Sequence, residues 1–324
     1  MLRTRRLTLA IVAFVGLSGA ALPPAAADED PALVVGNLRK VFGLHQARAA
    51  HAKGIILSGS FAPAPDASGL SKATIFRGGA VPLTVRFSDS TGIPDIADTD
   101  GNAIPRGFAM KFGTDQLDLV THSFNGFPAA TADDFGALFR AILASKAETV
   151  KPNSLDKFLA AHPAAAKFLT TQKPPSVSFA TITYYGVNAF AFVNDKGEKT
   201  HVRYRLVPAA GEQYLDDAAA KAKSPNYLSE EIRARVGAGP VKFDWFAQIA
   251  GAGDKIDDPS VAWPDDRRLV KLGTITVERV VEDQSRTDKS FVFMPSNVPE
   301  GIEVADPMVD FRTAAYAVSF GERQ

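Results

Sequence analysis

The most regular feature of the sequence is a set of short segments in which apolar and polar residues alternate. In residues 81–88, VPLTVRFS, the apolar residues Val81, Leu83, Val85 and Phe87 fall on one face of an extended strand. The same pattern predicts further strands within 55–60, 106–112, 117–120, 177–207, 240–249 and 273–281. Many short strands of this kind are typical of a large antiparallel sheet or barrel.

Segments with apolar residues at helical spacing lie between these strands. Residues 33–50 carry Leu38 and Phe42 on one face, and residues 131–144 follow Thr131, a residue type that caps helix N-termini. The other predicted helices lie at 153–170, 214–236 and in the C-terminal segment from Met308. No internal repeat is visible, so the pattern predicts one α+β domain around a large sheet or barrel.

The first 27 residues have the pattern of a secretory signal. A basic start is followed by an apolar run, residues 7–22, and by an Ala-rich end before Asp28. The segment TRRL at 4–7 is similar to part of a twin-arginine export signal. The alternative is an uncleaved membrane anchor, but the apolar run is short for a span. We therefore predict a periplasmic or secreted protein, without a stable membrane span, whose folded domain is 28–324.

Charge and cysteine content exclude several classes of function. Removal of residues 1–27 takes away three of the 36 basic residues and none of the 36 acidic ones, which leaves a net charge of −3. Nothing in that balance favours nucleic acid as a partner. The absence of cysteine excludes disulfides, thiolate metal sites and a cysteine nucleophile. The 22 Phe residues indicate an aromatic core or a large apolar cofactor pocket, and we favour the core.

Individual residues that could carry chemistry are ambiguous when taken one at a time. His51 lies between Arg48 and Lys53, just before a predicted strand, and a lone histidine is more often structural than reactive. Arg86 and Ser88 share the polar face of one strand, which could be a half-solvated sheet surface.

A second set of candidates lies near the C-terminus. Arg312 and Tyr316 have i, i+4 spacing, which places them on one face of a helix, and Arg323 returns to that face seven residues later. A stripe of this kind is usually a solvated surface.

Taken together and in order, these segments resemble the haem catalase family. The matching segments are RAAHAKG at 48–54, VRFS at 85–88, RGFAMKF at 106–112, LDLV at 117–120, VAWPDDRRLVKLGTITVERVV at 261–281 and RTAAY at 312–316, followed by Arg323. The resemblance covers residues 33–324. It implies a catalase-like antiparallel β-barrel with surrounding helices, truncated at both ends relative to full catalases. It points to the small, export-targeted branch of catalase-related peroxidases.

The resemblance also implies roles for the residues that react with peroxide. Tyr316 would be the axial ligand of the haem iron, and Arg312, one helical turn away, would stabilise its phenolate. His51 would act as the general acid-base group, and Ser88 would orient its ring. Asn125, in the divergent segment THSFNGFP at 121–128, would hold the distal oxygen of the peroxide.

Further residues are expected to hold the haem itself. Arg48, Arg86 and Arg323 would pair with the propionates, and Phe135 would lie against the haem face. Ala49 and Ala50 precede His51, where typical catalases have bulkier apolar residues.

The expected activity follows from the resemblance. It is a haem b-dependent peroxidase that reduces hydrogen peroxide or organic hydroperoxides with a small organic electron donor and has weak catalase activity. Two alternatives stay open: a hydroperoxide isomerase on the same fold, and a non-catalytic haem-binding protein. A monomer or homodimer is expected, since the terminal segments of full catalases are missing.

Overall fold

The computed structural model describes residues 29–113 and 117–324, so the predicted signal segment, residues 1–27, lies outside the described residues. These described residues contain the following strands: β1 (Gly54–Pro63), β2 (Val81–Ser88), β3 (Gly107–Phe112), β4 (Leu117–His122), β5 (Tyr184–Val193), β6 (Lys199–Pro208), β7 (Val241–Ile249), β8 (Leu269–Val280) and β9 (Ile302–Val304). The prediction for 81–88 coincides with β2.

The strands form one antiparallel sheet that closes on itself. Their order is β4-β3-β2-β1-β8-β7-β6-β5. The first and last strands of this order, β4 and β5, also pair with each other, where His122 lies opposite Tyr185, and this pairing closes the barrel. β9 pairs with β5 at residues 190–192. The structure thus confirms an eight-stranded antiparallel barrel.

Aromatic side chains fill the interior of the barrel. The ring of Phe61 lies 5.3 Å from those of Phe112 and Trp245, and Phe108 lies 4.8 Å from Phe243. All five side chains are fully buried. This confirms the aromatic core, and it means that a large ligand has to bind outside the barrel because protein interiors are close-packed.

Helices cover part of the outer barrel wall. The described helices are α1 (Pro31–Phe42), α2 (Ala67–Leu70), α3 (Ala132–Ser145), α4 (Ser154–Ala161), α5 (Pro163–Thr170), α6 (Asp217–Lys221), α7 (Tyr227–Ala238), α8 (Gln284–Ser290) and α9 (Met308–Gly321). Side chains of α1, α3 and α9 form a second apolar cluster around Val35, Phe139 and Ala315. Within the described ranges, no helix combines the length and apolarity that crossing a bilayer requires.

Two predicted helices differ from the structure for local reasons. The helix predicted at 33–50 ends at Phe42, because Gly43 takes a φ of 98° and the following residues form a loop. The helix predicted at 153–170 is two helices, because Pro163 cannot donate to the first and instead begins the second. The cap predicted at Thr131 is confirmed, since its side chain accepts a hydrogen bond from Asp134.

Candidate active site

One large cavity lies between the barrel wall and the helices. It encloses about 1130 Å³ of space not filled by protein atoms, a figure that includes its open mouth. The barrel contributes residues of β2, β3 and β4, and helices α1, α3 and α9 contribute apolar side chains. Most of the predicted site residues line this cavity: Arg48, His51, Arg86, Ser88, Phe135, Arg312, Tyr316 and Arg323.

The loop between α1 and β1 places His51 in the cavity with an unusual backbone. His51 has a φ of 56°, and it is the only non-glycine residue with positive φ in the described segments. Its N–H donates to the carbonyl of Ser90 at 3.0 Å, and its own carbonyl accepts from Arg86 Nη1 at 2.8 Å. The next residue, Ala52, donates to the carbonyl of Thr91 at 2.9 Å. Hydrogen bonds on both sides therefore fix the backbone in this conformation.

The side chain of His51 is held equally firmly. Its Nδ1 lies 3.0 Å from Ser88 Oγ, and its ring lies against Gly107, where an added Cβ would be 2.8 Å from Nδ1. A glycine is therefore required at position 107. Burial, followed by the charge of Arg86 and then of Arg312, lowers the pKa of His51 to about 3. The imidazole is neutral at working pH and can accept a proton.

Helix α9 supplies a tyrosine and an arginine to the same cavity. Arg312 Nη2 donates to the hydroxyl oxygen of Tyr316 at 2.7 Å. Its Nη1 donates to Asn188 Oδ1 at 2.5 Å, and Asn188 Nδ2 donates to Asp306 at 2.8 Å. The guanidinium thus donates to the phenol oxygen, and a chain of buried polar groups fixes its position.

Three arginines converge at another part of the cavity wall. Arg86 Nε and Arg48 Nη2 lie 2.7 Å and 3.1 Å from Asp288 Oδ1, and Arg323 donates to the main-chain carbonyl of Asp288 at 2.9 Å. Burial, followed by the charge of Arg48, lowers the pKa of Arg86 to about 10. Burial opposes ionisation of Asp288, but Arg86 and Arg48 outweigh it and lower the pKa of that carboxyl. The cluster keeps two uncompensated positive charges.

Asn125 lies apart from the other predicted site residues. The structure places it in the turn after β4, half-buried and outside the residues that line the cavity. His122, the last residue of β4, lines the cavity instead. The chain leaves the cavity wall after His122 and returns to it at Phe127, so Asn125 lies in the turn between two lining residues. Phe135 does line the cavity, with its ring 5.1 Å from that of Phe127.

The sequence reasoning missed three residues of this region. His122 lies two residues beyond the strand predicted at 117–120, so the pattern assigned its side chain to neither face. Asn188 lies in a long apolar strand, and Asp288 lies in a short helix that the apolar pattern did not predict. Asn188 was detectable as a lone polar residue in an apolar run, whereas nothing in the pattern around Asp288 marked it.

Comparison with known proteins identifies the family. A family model described as Catalase matches residues 46–323. The chain belongs to the catalase family. It is 30% identical to a "Catalase-related peroxidase" of Synechococcus elongatus over 98% of this chain and 96% of that protein. It is 35% identical to a "Catalase-related peroxidase" of Mycolicibacterium paratuberculosis, over 84% of this chain and 87% of that protein. It therefore falls in the branch of catalase-related peroxidases, and it is an oxidoreductase that acts on peroxide.

Solved catalase structures share the fold. A structure described as that of a bacterial catalase superposes with a TM-score of 0.73 at 23% identity. The match covers 86% of this chain and 57% of the catalase chain. A fungal catalase gives a TM-score of 0.72, with 59% of its chain covered. This chain thus spans somewhat more than half the length of those catalases.

Membership of the catalase family implies haem, and the residues of the cavity fit it. The cavity has apolar walls formed by residues such as Val35, Phe135 and Phe311. The two uncompensated charges of the arginine cluster match the two propionates of a haem. Arg323 Nε is buried and lacks a partner within the residues that the structure describes, as expected for a donor reserved for a ligand.

Proposed function

We propose that this chain is a haem b-dependent peroxidase that reduces hydrogen peroxide or organic hydroperoxides with a small organic electron donor, and that its catalase activity is weak. The observation that supports the proposal is that one cavity holds two reactive side chains, each fixed by a hydrogen bond. Tyr316 is hydrogen-bonded to Arg312, and a neutral His51 is hydrogen-bonded to Ser88. A haem carrier needs an iron ligand, but it does not need a strained histidine held beside the cofactor.

Tyr316 and its neighbours would form the ligand side of the site. Haem, when bound, would supply the iron at which peroxide is activated. The phenol oxygen of Tyr316 is the atom that would hold the iron, and Arg312 Nη2 donates a hydrogen bond to it at 2.7 Å. Asn188 and Asp306 keep the guanidinium in place. Arg48, Arg86 and Arg323 would bind the propionates.

His51 would move the proton. When Nδ1 carries hydrogen and donates it to Ser88 Oγ, Nε2 presents a lone pair to the cavity. Nε2 can then take a proton from one oxygen of the peroxide and return it to the oxygen that leaves. Because burial and the charge of Arg86 lower the pKa of His51 to about 3, the ring is unprotonated at neutral pH and its lone pair is free.

The test is an absorption spectrum of the haem-loaded protein, recorded before and after addition of hydrogen peroxide. The wild type should show a rapid spectral change and should oxidise an aromatic donor. His51→Ala should retain haem and react at least ~100-fold more slowly, since loss of a general acid-base group costs roughly 10²–10⁴-fold. His201→Ala, a change of a half-buried histidine on β6, is the matched control. Conversion of an organic hydroperoxide to a rearranged product without donor oxidation would indicate an isomerase instead.

We also propose that the chain is exported and cleaved before Asp28. The support is the basic start, apolar run and Ala-rich end of residues 1–27. N-terminal sequencing of the protein secreted by its native host tests this, and a mature chain that retains Met1 would contradict it.

A further inference from the structure

His122 lies beside His51 on the inner wall of the cavity. It ends β4 directly opposite Gly107 of β3, and Gly107 lies opposite Ser88 of β2. Residues paired in this way project from the same face of a sheet. Because the ring of His51 lies against Gly107 and contacts Ser88, His122 flanks that ring on the side away from Ser88.

The ring of His122 has one satisfied and one unsatisfied nitrogen. Its Nδ1 accepts a hydrogen bond from the N–H of Phe124 at 3.4 Å, so the neutral ring carries its hydrogen on Nε2. That Nε2 is buried and has no partner in the described part of the chain. Burial, followed by the charge of Arg312, lowers the pKa of His122 to about 3, which keeps the ring neutral. Phe127 and Phe168 pack against the ring and hold its orientation.

A buried N–H without an acceptor is costly and calls for an explanation. The side chain is only 8% exposed, and it lines the cavity that also holds His51 and Tyr316. A ligand oxygen in that cavity is the acceptor that the geometry offers. Asn125, which was expected to supply such a donor, does not line the cavity.

We propose that His122 is a substrate-binding residue that donates a hydrogen bond from Nε2 to the peroxide oxygen that His51 does not deprotonate. This inference rests on the proposed function. The two histidines differ in tautomer: Nε2 of His51 presents a lone pair to the peroxide, and Nε2 of His122 presents an N–H. The pair would orient a peroxide between a proton acceptor and a fixed donor, and neither ring has to be charged beforehand.

The experiment measures cyanide affinity as well as reaction with peroxide. Cyanide bound to ferric haem presents an acceptor atom to the same wall, and its dissociation constant is read from the absorption spectrum. His122→Leu should weaken cyanide binding by about 10-fold or more, since hydrogen bonds to charged groups are among the stronger ones. His122→Gln, whose side-chain N–H₂ can reach the position of Nε2, should recover most of that affinity. His201→Leu, on β6, is the matched control and should leave it unchanged.

The same variants should rank in the same order in the rate of the spectral change with hydrogen peroxide. Cyanide affinities of His122→Leu and wild type within twofold of each other would overturn the proposal. If His122→Leu does not retain haem, His122→Met replaces it, since Met and Gln are unbranched side chains of similar length. Equal cyanide affinities of the Met and Gln variants would then overturn it. A wild type that binds cyanide but does not react with peroxide would contradict the proposed function. The cyanide affinities of the variants would still decide whether His122 donates a hydrogen bond to a bound ligand.

Discussion

At the scale of single residues, the most informative feature is the backbone of His51. A non-glycine residue with a φ of 56° is strained by roughly 1–3 kcal/mol, and such strain persists only where the surroundings impose it. Here Ser90, Arg86 and Ser88 impose it through hydrogen bonds to the main chain and the ring. The sequence identified His51 only through the family resemblance, because strain depends on contacts with distant segments.

Replacement of Tyr316 tests whether this residue is the iron ligand. Tyr316→Phe removes the phenol oxygen that accepts from Arg312, and we expect weaker haem retention or a changed ferric spectrum. Arg312→Ala should produce part of the same change, since it removes the cation beside that oxygen. Tyr214→Phe, at a tyrosine that does not line the cavity, is the control. An unaltered spectrum in Tyr316→Phe would show that this residue is not the ligand.

The two cavity histidines make stability depend on pH in a defined direction. An unfolded chain protonates its imidazoles near pH 6.5, whereas His51 and His122 protonate near pH 3 when folded. Between these values the unfolded state binds more protons, so each histidine lowers the free energy of unfolding as the pH falls from 6.5 towards 3. Above pH 6.5 neither group contributes a pH dependence.

We therefore expect His122→Gln to gain stability relative to the wild type as the pH falls below 6.5, by at most about 1.4 kcal/mol per pH unit. Urea denaturation of both proteins at pH 7, 6 and 5 measures the difference. Burial raises the pKa of Asp89 to about 7, which acts in the opposite sense, but it is common to both proteins and cancels. A difference that stays constant from pH 7 to pH 5 would contradict a neutral, buried His122.

At the scale of elements, helix α9 connects the two sides of the site. Arg312 and Tyr316 lie on its cavity face, and Arg323 lines the cavity just beyond its end. Ser319, also on the cavity face, accepts a hydrogen bond from the N–H of Ala49 at 3.0 Å. The helix that carries the expected iron ligand is thus fastened to the loop that carries His51. A displacement of α9 would disturb both sides of the site together.

Ser319→Ala tests this connection. It leaves the N–H of Ala49 without its acceptor, so the free energy of unfolding of the haem-loaded protein should fall by about 1–3 kcal/mol. The reaction with peroxide should slow as well, because the His51 loop loses its anchor. Ser68→Ala removes an exposed hydrogen bond and should change stability by no more than about 0.5 kcal/mol. Equal effects of the two variants would refute a special role for Ser319.

Sequence patterns predicted most strands and helices, and the exceptions have physical causes. The alternation predicted β2 at its full length, since the pattern and the strand both run from Val81 to Ser88. The alternative of a half-solvated face for Arg86 and Ser88 does not hold, since both side chains are buried. The short α8 and β9 were not predicted, because their positions depend on contacts with distant strands rather than on local periodicity.

At the scale of the whole molecule, the full barrel interior decides where the ligand can bind. The aromatic side chains of β1, β2, β3 and β7 close-pack, so the cavity lies outside them, between barrel wall and helices. The resemblance supplied the roles of the residues, and the packing of helices on adjacent strands explains how they meet. Segments from residue 34 to residue 323 reach one cavity because β2, β3 and β4 are neighbours in the sheet and α1, α3 and α9 lie against them.

The same cavity bears on the balance between peroxidase and catalase activity. Dismutation requires a second hydrogen peroxide to be held in a reactive position, and a misplacement of about 1 Å can cost on the order of 100-fold. Here the small Ala49 and Ala50 line the space around His51, and the imidazole of His122 stands on the wall where an amide was expected. We expect a second hydrogen peroxide to be poorly held and a larger donor or organic hydroperoxide to be admitted.

Oxygen release and oxidation of an aromatic donor, measured on one haem-loaded sample at matched peroxide, should show clear donor oxidation and weak oxygen evolution. Ala50→Val should narrow the space and reduce donor oxidation more than oxygen release. Fast oxygen evolution without donor oxidation would instead make this protein a true catalase.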